Sequence, residues 1–162
     1  MLNNSDLLKK IASIILATTL FSIFYNQFRL NPLPLLKKEL EIISEVHNVD
    51  GLTAEPSISG ININLAQKLF EKGMLFIDAR AEEYFFEGHI PGAICSDDFD
   101  SLTQKLEDLI SMDDSFVVYC SDDDCGSSED LAYELQAYGF NNIYLFKGGW
   151  KEWQNSDLPE EK

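Results

Sequence analysis

Basic residues are scarce in this chain of 162 residues, which has 12 Lys and Arg against 28 Asp and Glu and a formal net charge of −16. Nucleic acids and anionic lipid head groups bind surfaces that are rich in Lys and Arg, so the composition argues against both ligands and predicts no nucleic-acid partner. From Ile58 onward the chain has 7 basic and 22 acidic residues. That part of the chain is therefore predicted to have a strongly acidic, solvated surface.

Cysteine is also scarce, since Cys95, Cys120 and Cys125 are the only three in the sequence. A small domain that depends on a disulfide framework has more cysteines, usually an even number of them. The CxxC pairs typical of structural zinc sites are absent from the sequence as well. We therefore predict no metal site and no cofactor.

Charge is absent from residues 11–28, a run of eighteen mostly apolar residues near the N-terminus. About 17 to 25 such residues suffice to span the hydrocarbon core of a bilayer. A buried helix or a signal peptide has a similar composition, but this run ends in bulky residues rather than in the small residues of a cleavage site. Residues 1–30 are therefore predicted to form one transmembrane helix that anchors a single-pass membrane protein through residues 11–28.

A linker is predicted for residues 31–57, because proline and glycine mark this stretch. Within it Leu36, Leu40, Ile43 and Val46 recur at nearly helical spacing, which predicts a short amphipathic helix over 35–46. This helix could lie on the membrane surface or pack on the domain. Basic residues flank the apolar run on both sides, so the positive-inside rule leaves the side of the soluble domain open.

Residues 58–162 alternate between helical patterns and short apolar runs. Helices are predicted over 64–72, 82–87, 101–110 and 127–138, and buried strands over 74–77, 116–119 and 143–146. Strands that alternate with helices are typical of an α/β domain with a mainly parallel sheet. In such sheets ligands bind beyond the carboxyl ends of the strands, and Cys120 directly follows a strand.

A thiol between a strand and a helix is well placed for nucleophilic chemistry. Backbone amides of the loop and the positive end of the following helix favour the thiolate, which is the reactive form. Ser127 is predicted to be the N-cap of that helix, with Asp130 at the third position as in a capping box. Free cysteine is also common in apolar cores, so the spacing alone leaves a catalytic and a structural role for Cys120 equally open.

Five short motifs, in this order and spacing, resemble a rhodanese domain. They are Phe76-Ile77-Asp78-Ala79-Arg80, Glu87-Gly88-His89-Ile90-Pro91-Gly92-Ala93, Val117-Val118-Tyr119-Cys120, Gly139-Phe140 and Gly148-Gly149-Trp150. The resemblance implies a rhodanese-like fold over residues 58–162, with a central, mainly parallel sheet flanked by helices on both faces. It also implies a sulfurtransferase that holds sulfane sulfur as a persulfide on Cys120, with sulfur donors and acceptor thiols, small molecules or proteins, as partners. Asp78, Arg80 and His89 would organise loops near the site.

The loop after Cys120 departs from the pattern of active rhodaneses, in which Arg, Gly and Ser residues hold an anionic sulfur donor. The residues predicted to bind substrate here are Ser121, Asp122, Asp123, Asp124, Gly126 and Ser127. Carboxylates near a thiolate raise its pKa and repel thiosulfate, so the predicted donor is a protein or low-molecular-weight persulfide. Position 126 is Gly where phosphatases of this fold have Arg, which argues against phosphatase activity.

Cys125 lies in the same loop as Cys120 and could resolve a persulfide or a disulfide on Cys120, or it could simply pack at the helix start. Two functional classes follow. One is a membrane-anchored protein that transfers sulfane sulfur or exchanges disulfides through Cys120, with Cys125 as a second catalytic thiol. The other is a catalytically inactive rhodanese module that acts as a binding or regulatory domain at a membrane.

Overall fold

The computed structural model describes residues 4–27, 42–43, 57–122 and 125–162. The chain divides into two units, Met1–Glu39 and Leu40–Lys162. The first unit contains helix α1, Asn4–Gln27. Its segment Asp6–Asn26 is long and apolar enough to cross a membrane, a property that signal sequences and core helices share.

A parallel sheet forms the centre of the second unit. Its strands are β1 (Ile42–Ile43), β2 (Ser57–Ile61), β3 (Phe76–Asp78), β4 (Ser115–Tyr119) and β5 (Asn142–Phe146), in the spatial order β1-β2-β5-β4-β3. All neighbouring strands pair in parallel, so their carboxyl ends lie at one edge of the sheet. Asp78 and Tyr119, the last residues of β3 and β4, are partners in this register.

Helices cover both faces of the sheet: α2 (Ile63–Glu71), α3 (Glu82–Glu87), α4 (Phe99–Leu109), α5 (Ser127–Tyr138) and α6 (Gly149–Asn155). On one face, Leu65 and Leu69 of α2 and Trp153 of α6 pack with Val117 and Tyr119 of β4. The opposite face buries a second cluster in which Phe116 and Val118 of β4 meet residues of α4 and α5. Successive β4 side chains point to opposite faces, which explains why this strand is apolar at every position from 116 to 119.

The predicted α/β architecture with a parallel sheet and helices on both faces is confirmed. Helix α4 begins at Phe99 rather than at residue 101, because the Asp98 carboxylate accepts a hydrogen bond from the Ser101 amide and caps the helix. The prediction of Ser127 as an N-cap is wrong. Gly126 is the N-cap of α5 and makes no side-chain capping bond, and Ser127 is the first helical residue.

Two differences concern the start of the second unit. Strand β2 was not predicted, although it pairs with β5 over its whole length. The helix predicted over 35–46 is wrong at Ile42 and Ile43, which form β1 and pair with Gly60 and Ile61. The rest of that predicted helix lies outside the described residues. The domain boundary at residue 58 remains a prediction.

Candidate active site

Cys120 lies at the carboxyl edge of the sheet, directly after β4. Its Sγ forms a disulfide with Sγ of Cys125, and the two Cα atoms are 6.1 Å apart. Cys120 is only 3% exposed, whereas Cys125 is half-buried, so Cys125 is the more accessible residue of the pair. The disulfide is the oxidised form of the pair, in which neither sulfur is available as a nucleophilic thiolate.

The first turn of α6 holds the backbone at the start of the Cys120 loop. The Trp150 amide donates to the Cys120 carbonyl at 2.8 Å, and the Lys151 amide donates to the Ser121 carbonyl at 2.9 Å. Gly149 has a φ of +58°, and a Cβ there would overlap the Cys120 carbonyl oxygen and lie 3.0 Å from the Asp122 amide nitrogen. Only glycine fits this close approach without moving the loop.

The remaining predicted loop residues are neighbours of Cys120 and Cys125 in the sequence. Ser121 is exposed and Asp122 is half-buried, with its carboxylate 3.8 Å from the Lys151 ammonium. The Cys125 amide donates to the Asp122 carbonyl at 3.2 Å. Gly126 and the exposed Ser127 follow at the start of α5. Asp123 and Asp124 lie outside the described residues.

A buried ion pair lies at the carboxyl end of β3. Arg80 Nε donates to Asp78 Oδ1 at 2.9 Å, and Nη2 donates to Oδ2 at 2.6 Å and to the Gly88 carbonyl at 2.8 Å. The two side chains are 6% and 0% exposed. The guanidinium also lies over the Trp150 ring, 5.1 Å from its centroid, next to the turn that holds the Cys120 loop.

Burial and the Asp78 carboxylate shift the pKa values of Tyr119 and Arg80. Burial raises the pKa of Tyr119, and the negative charge of Asp78 raises it further, so this residue remains a neutral phenol. Its oxygen accepts a hydrogen bond from the Ile90 amide at 3.2 Å. Burial lowers the pKa of Arg80, but the hydrogen bond and charge of Asp78 outweigh this effect and raise the pKa. The guanidinium therefore remains a cation that links the end of β3 to the Gly88 carbonyl, and the Tyr119 hydroxyl links β4 to Ile90.

His89 is bound into that same loop. Its Nδ1 lies 2.9 Å from the Phe85 carbonyl oxygen, and its ring stacks on Phe85 with centroids 3.7 Å apart. Its backbone exchanges two hydrogen bonds of 2.9 Å with Glu161. These contacts, like those of Asp78 and Arg80, are of the kind that a loop-organising role requires, and that role remains a prediction for all three residues.

Cys95 is a free thiol and is not part of the disulfide. It is buried, and its Sγ donates to the Arg80 carbonyl at 3.2 Å. Burial raises the pKa of its thiol to about 12, and the charge of Asp78 adds to this effect. The thiol is therefore protonated at neutral pH and is a poor nucleophile.

Sequence reasoning did not include Gly149 and Lys151 among the site residues, although their backbones contact the Cys120 loop. A signal was present, because Gly148-Gly149 follows the apolar run of β5 just as Cys120 follows that of β4. In a parallel sheet the ends of adjacent strands meet at one edge.

Comparisons with known proteins agree with this architecture. The sequence model of the family described as "Rhodanese-like domain" matches residues 63–156. A thiosulfate sulfurtransferase GlpE from Pseudomonas savastanoi pv. phaseolicola is 30% identical over 99 residues, which cover 59% of this chain and 86% of the relative. A protein of the same name from Pseudomonas syringae pv. syringae is 30% identical over 96 residues, with the same two coverages.

Solved structures show the same fold. A protein from Bacillus halodurans has a TM-score of 0.54 at 24% identity, and the matched region covers 62% of this chain and 74% of the Bacillus halodurans chain. The Alr3790 protein from Anabaena sp. has a TM-score of 0.53 at 20% identity, and the matched region covers 62% of this chain and 78% of the Anabaena chain. At these identities the likeness concerns the fold alone.

Proposed function

The chain belongs to the rhodanese-like domain family, with sulfurtransferases among its relatives, and from this premise we propose that it carries sulfane sulfur as a persulfide on Cys120. The observation that supports this role is the position of Cys120, directly after β4 at the edge where the first turn of α6 holds its backbone. In parallel α/β sheets this edge is where ligands bind.

The reaction begins from the reduced pair, in which Cys120 is a thiolate. Its Sγ attacks the outer sulfur of a persulfide donor, the S–S bond of the donor breaks, and the donor leaves as a thiol. Backbone amides of residues 121–126 stabilise the persulfide that forms on Cys120, and an acceptor thiol then removes the outer sulfur. In the disulfide form the Cys125 amide, one of this set, donates a hydrogen bond to the Asp122 carbonyl.

The proposed donors are protein or low-molecular-weight persulfides rather than thiosulfate. The two Pseudomonas relatives are named for thiosulfate, but here three aspartates follow Ser121 in the loop. Asp122 has Lys151 at 3.8 Å, and both side chains are substantially exposed, so this pair offsets little of the negative charge. Thiosulfate is a dianion and is repelled by such a loop.

Carriage of sulfur is tested most clearly in a Cys125→Ser background, in which only Cys120 remains in the loop as a thiol. The full-length variant in an uncharged detergent is reduced, freed of reductant and incubated with cysteine persulfide, and its intact mass is measured. We expect a gain of one sulfur atom that cyanide removes. Cys95→Ser/Cys125→Ser is the matched control and should gain the same mass, whereas Cys120→Ser/Cys125→Ser should gain none.

A non-catalytic binding or regulatory module is the second candidate. It is favoured by the acidic loop and by the burial of Cys120, which is 3% exposed in the disulfide form. The thiol pKa of Cys120 in Cys125→Ser separates the two functions. A pKa well below about 8.5 supports chemistry, whereas a pKa at or above that ordinary value supports the module.

Residues 1–30 are proposed to anchor the domain to a membrane as a single uncleaved span. The segment Asp6–Asn26 has the length and composition that a span requires. The test is to express the full chain in cells and to extract the membrane fraction with alkaline carbonate. An anchored protein stays in the membrane with its N-terminus intact. Release into the soluble fraction with a shortened N-terminus would instead identify a signal peptide.

A further inference from the structure

The disulfide joins two residues of the proposed carrier loop that differ in accessibility. Cys120 is 3% exposed, and Cys125 is half-buried. Their Cα atoms are 6.1 Å apart, and the Trp150 and Lys151 amides hold the backbone of Cys120 and Ser121. The loop therefore brings the two Sγ atoms to bonding distance while Cys120 and Ser121 stay hydrogen-bonded to the first turn of α6.

This inference rests on the proposed function. We propose that Cys125 of the same chain is the acceptor thiol of that function and resolves the persulfide on Cys120, so that the protein reduces sulfane sulfur to hydrogen sulfide. The Cys125 thiolate attacks Cys120 Sγ, which is the inner sulfur of the persulfide. The bond between the inner and outer sulfurs breaks, and the outer sulfur leaves as hydrosulfide. The Cys120–Cys125 disulfide of this structure is the product.

The step is balanced in atoms and electrons. The Cys125 thiolate supplies the electron pair of the new S–S bond, and the outer sulfur takes the electron pair of the bond that breaks. The outer sulfur keeps the proton of the persulfide and leaves as hydrosulfide, which takes up a second proton from water to become hydrogen sulfide. The aspartates of the loop, which disfavour an anionic donor, also repel the hydrosulfide that leaves and so oppose the reverse reaction.

A thiol reductant, either a low-molecular-weight thiol or a protein dithiol, closes the cycle. The difference in burial predicts where it attacks, because thiol–disulfide exchange requires access to the sulfur. Attack at Cys125, the more accessible residue, forms a mixed disulfide there and releases Cys120 as the thiolate. A second thiol then frees Cys125. Over one cycle a persulfide and two thiols yield one thiol, one hydrogen sulfide and one external disulfide.

Cys95 does not compete with Cys125 in this scheme. It is buried, and it donates its Sγ–H to the Arg80 carbonyl. A serine at this position can donate the same hydrogen bond. Cys95→Ser is therefore a control that removes a thiol from the domain and leaves the proposed pair unchanged.

The test is a single turnover with the full-length protein in an uncharged detergent, under anaerobic conditions. Wild type, Cys125→Ser and Cys95→Ser are reduced, freed of reductant and mixed with one equivalent of cysteine persulfide. Sulfide release and intact mass are followed together. Wild type and Cys95→Ser should release one equivalent of sulfide and lose two hydrogens. Cys125→Ser should gain one sulfur atom and release sulfide more than about tenfold more slowly, because no intramolecular thiol is present.

The variants distinguish failure of this inference from failure of the proposed function. If wild type retains the added sulfur as stably as Cys125→Ser does, Cys120 is a carrier and Cys125 is not its resolving thiol. Equal sulfide release from both proteins would overturn the inference in the same way. If neither protein gains sulfur nor releases sulfide, the carrier function itself is wrong, and the inference that rests on it is wrong as well.

Discussion

Arg80 and Asp78 form an ion pair from which water is almost fully excluded, with side-chain exposures of 6% and 0%. Removing one partner of such a pair leaves an uncompensated buried charge, which typically costs about 3–5 kcal/mol. We expect Arg80→Gln to lower the free energy of unfolding by roughly 3 kcal/mol or more. Urea unfolding followed by tryptophan fluorescence measures this change.

Lys151→Gln is the matched control for that substitution. Lys151 also pairs with an aspartate, Asp122, but the two side chains are 70% and 39% exposed and their charged atoms are 3.8 Å apart. Exposed pairs of this kind contribute less than about 1 kcal/mol. Equal losses of stability in the two variants would contradict the view that burial gives the Arg80–Asp78 pair its importance.

Cys95 is expected to make the oxidised protein less stable at alkaline pH. Its thiol pKa is raised to about 12 in the folded protein, well above the ordinary value of about 8.5, so the unfolded chain releases this proton first. The contribution of this thiol to the free energy of unfolding is complete below about pH 8.5 and is lost as the pH rises towards 12, with a slope of up to about 1.4 kcal/mol per pH unit. Tyr119, whose pKa is also raised, acts with the same sign at higher pH.

Comparison with Cys95→Ser isolates the contribution of this one thiol. Urea unfolding of the oxidised protein at several values between about pH 8 and 10.5 should give a flatter dependence in the variant than in wild type. Cys120 and Cys125 do not titrate while they are joined. If the two curves run parallel, the Cys95 proton is not linked to folding.

The turn between β5 and α6 joins a structural constraint to the candidate site. Gly149 has a φ of +58°, and a Cβ would overlap the Cys120 carbonyl oxygen. We expect Gly149→Ala to displace the Cys120 loop, to lower the melting temperature and to reduce the rate at which Cys120 takes up sulfur. These effects are measured by calorimetry and by the mass-gain experiment in the Cys125→Ser background.

Gly73→Ala separates backbone strain from the steric overlap. Gly73 follows the C-cap of α2 with a φ of +77°, and a Cβ there would have no atom within 4 Å. Its substitution should cost about 1 kcal/mol through strain and leave sulfur uptake unchanged. If Gly149→Ala also leaves sulfur uptake unchanged, the contact between α6 and the loop does not position Cys120.

The elements that the sequence predicted correctly are those with a strong local pattern. Val117 and Val118 lie in an apolar run that indicates a buried strand, and Gly139 marks the end of α5. Strand β2 has no such apolar run, because Ser-Ile-Ser-Gly-Ile has only two apolar residues, and its glycine disfavours strands. Its structure depends on its pairing with β5, which is distant in sequence and therefore not visible in a local window.

The candidate site was predictable to a different extent. The location of Cys120 followed from a local pattern, the apolar run that precedes it. The Cys120–Cys125 disulfide was left open, because sequence spacing does not determine how a loop folds back. The contacts of Gly149 and Trp150 with this loop arise from the meeting of two strand ends that are distant in sequence, so sequence reasoning did not include these residues in the site.

At the scale of the whole molecule, the net charge of −16 is expected to control which sulfur donors reach Cys120. The charges of an acidic domain act together on an approaching anion. Salt screens them beyond the Debye length, which is about 30 Å at 0.01 M and about 10 Å at 0.1 M. In full-length Cys125→Ser, we expect the rate constant for sulfur transfer from thiosulfate to rise roughly tenfold between these salt concentrations. Stopped reactions analysed by intact mass give this rate constant.

Two controls connect this salt effect to charge at the site. Cysteamine persulfide carries an ammonium group that offsets its negative sulfur, so its rate constant should change little with salt. Asp122→Asn, combined with Cys125→Ser, removes one carboxylate beside the loop and should raise the thiosulfate rate at low salt while reducing its salt dependence. If thiosulfate reacts as fast as cysteamine persulfide at low salt, the acidic surface does not select donors, and the preference for persulfides proposed from the three aspartates is wrong.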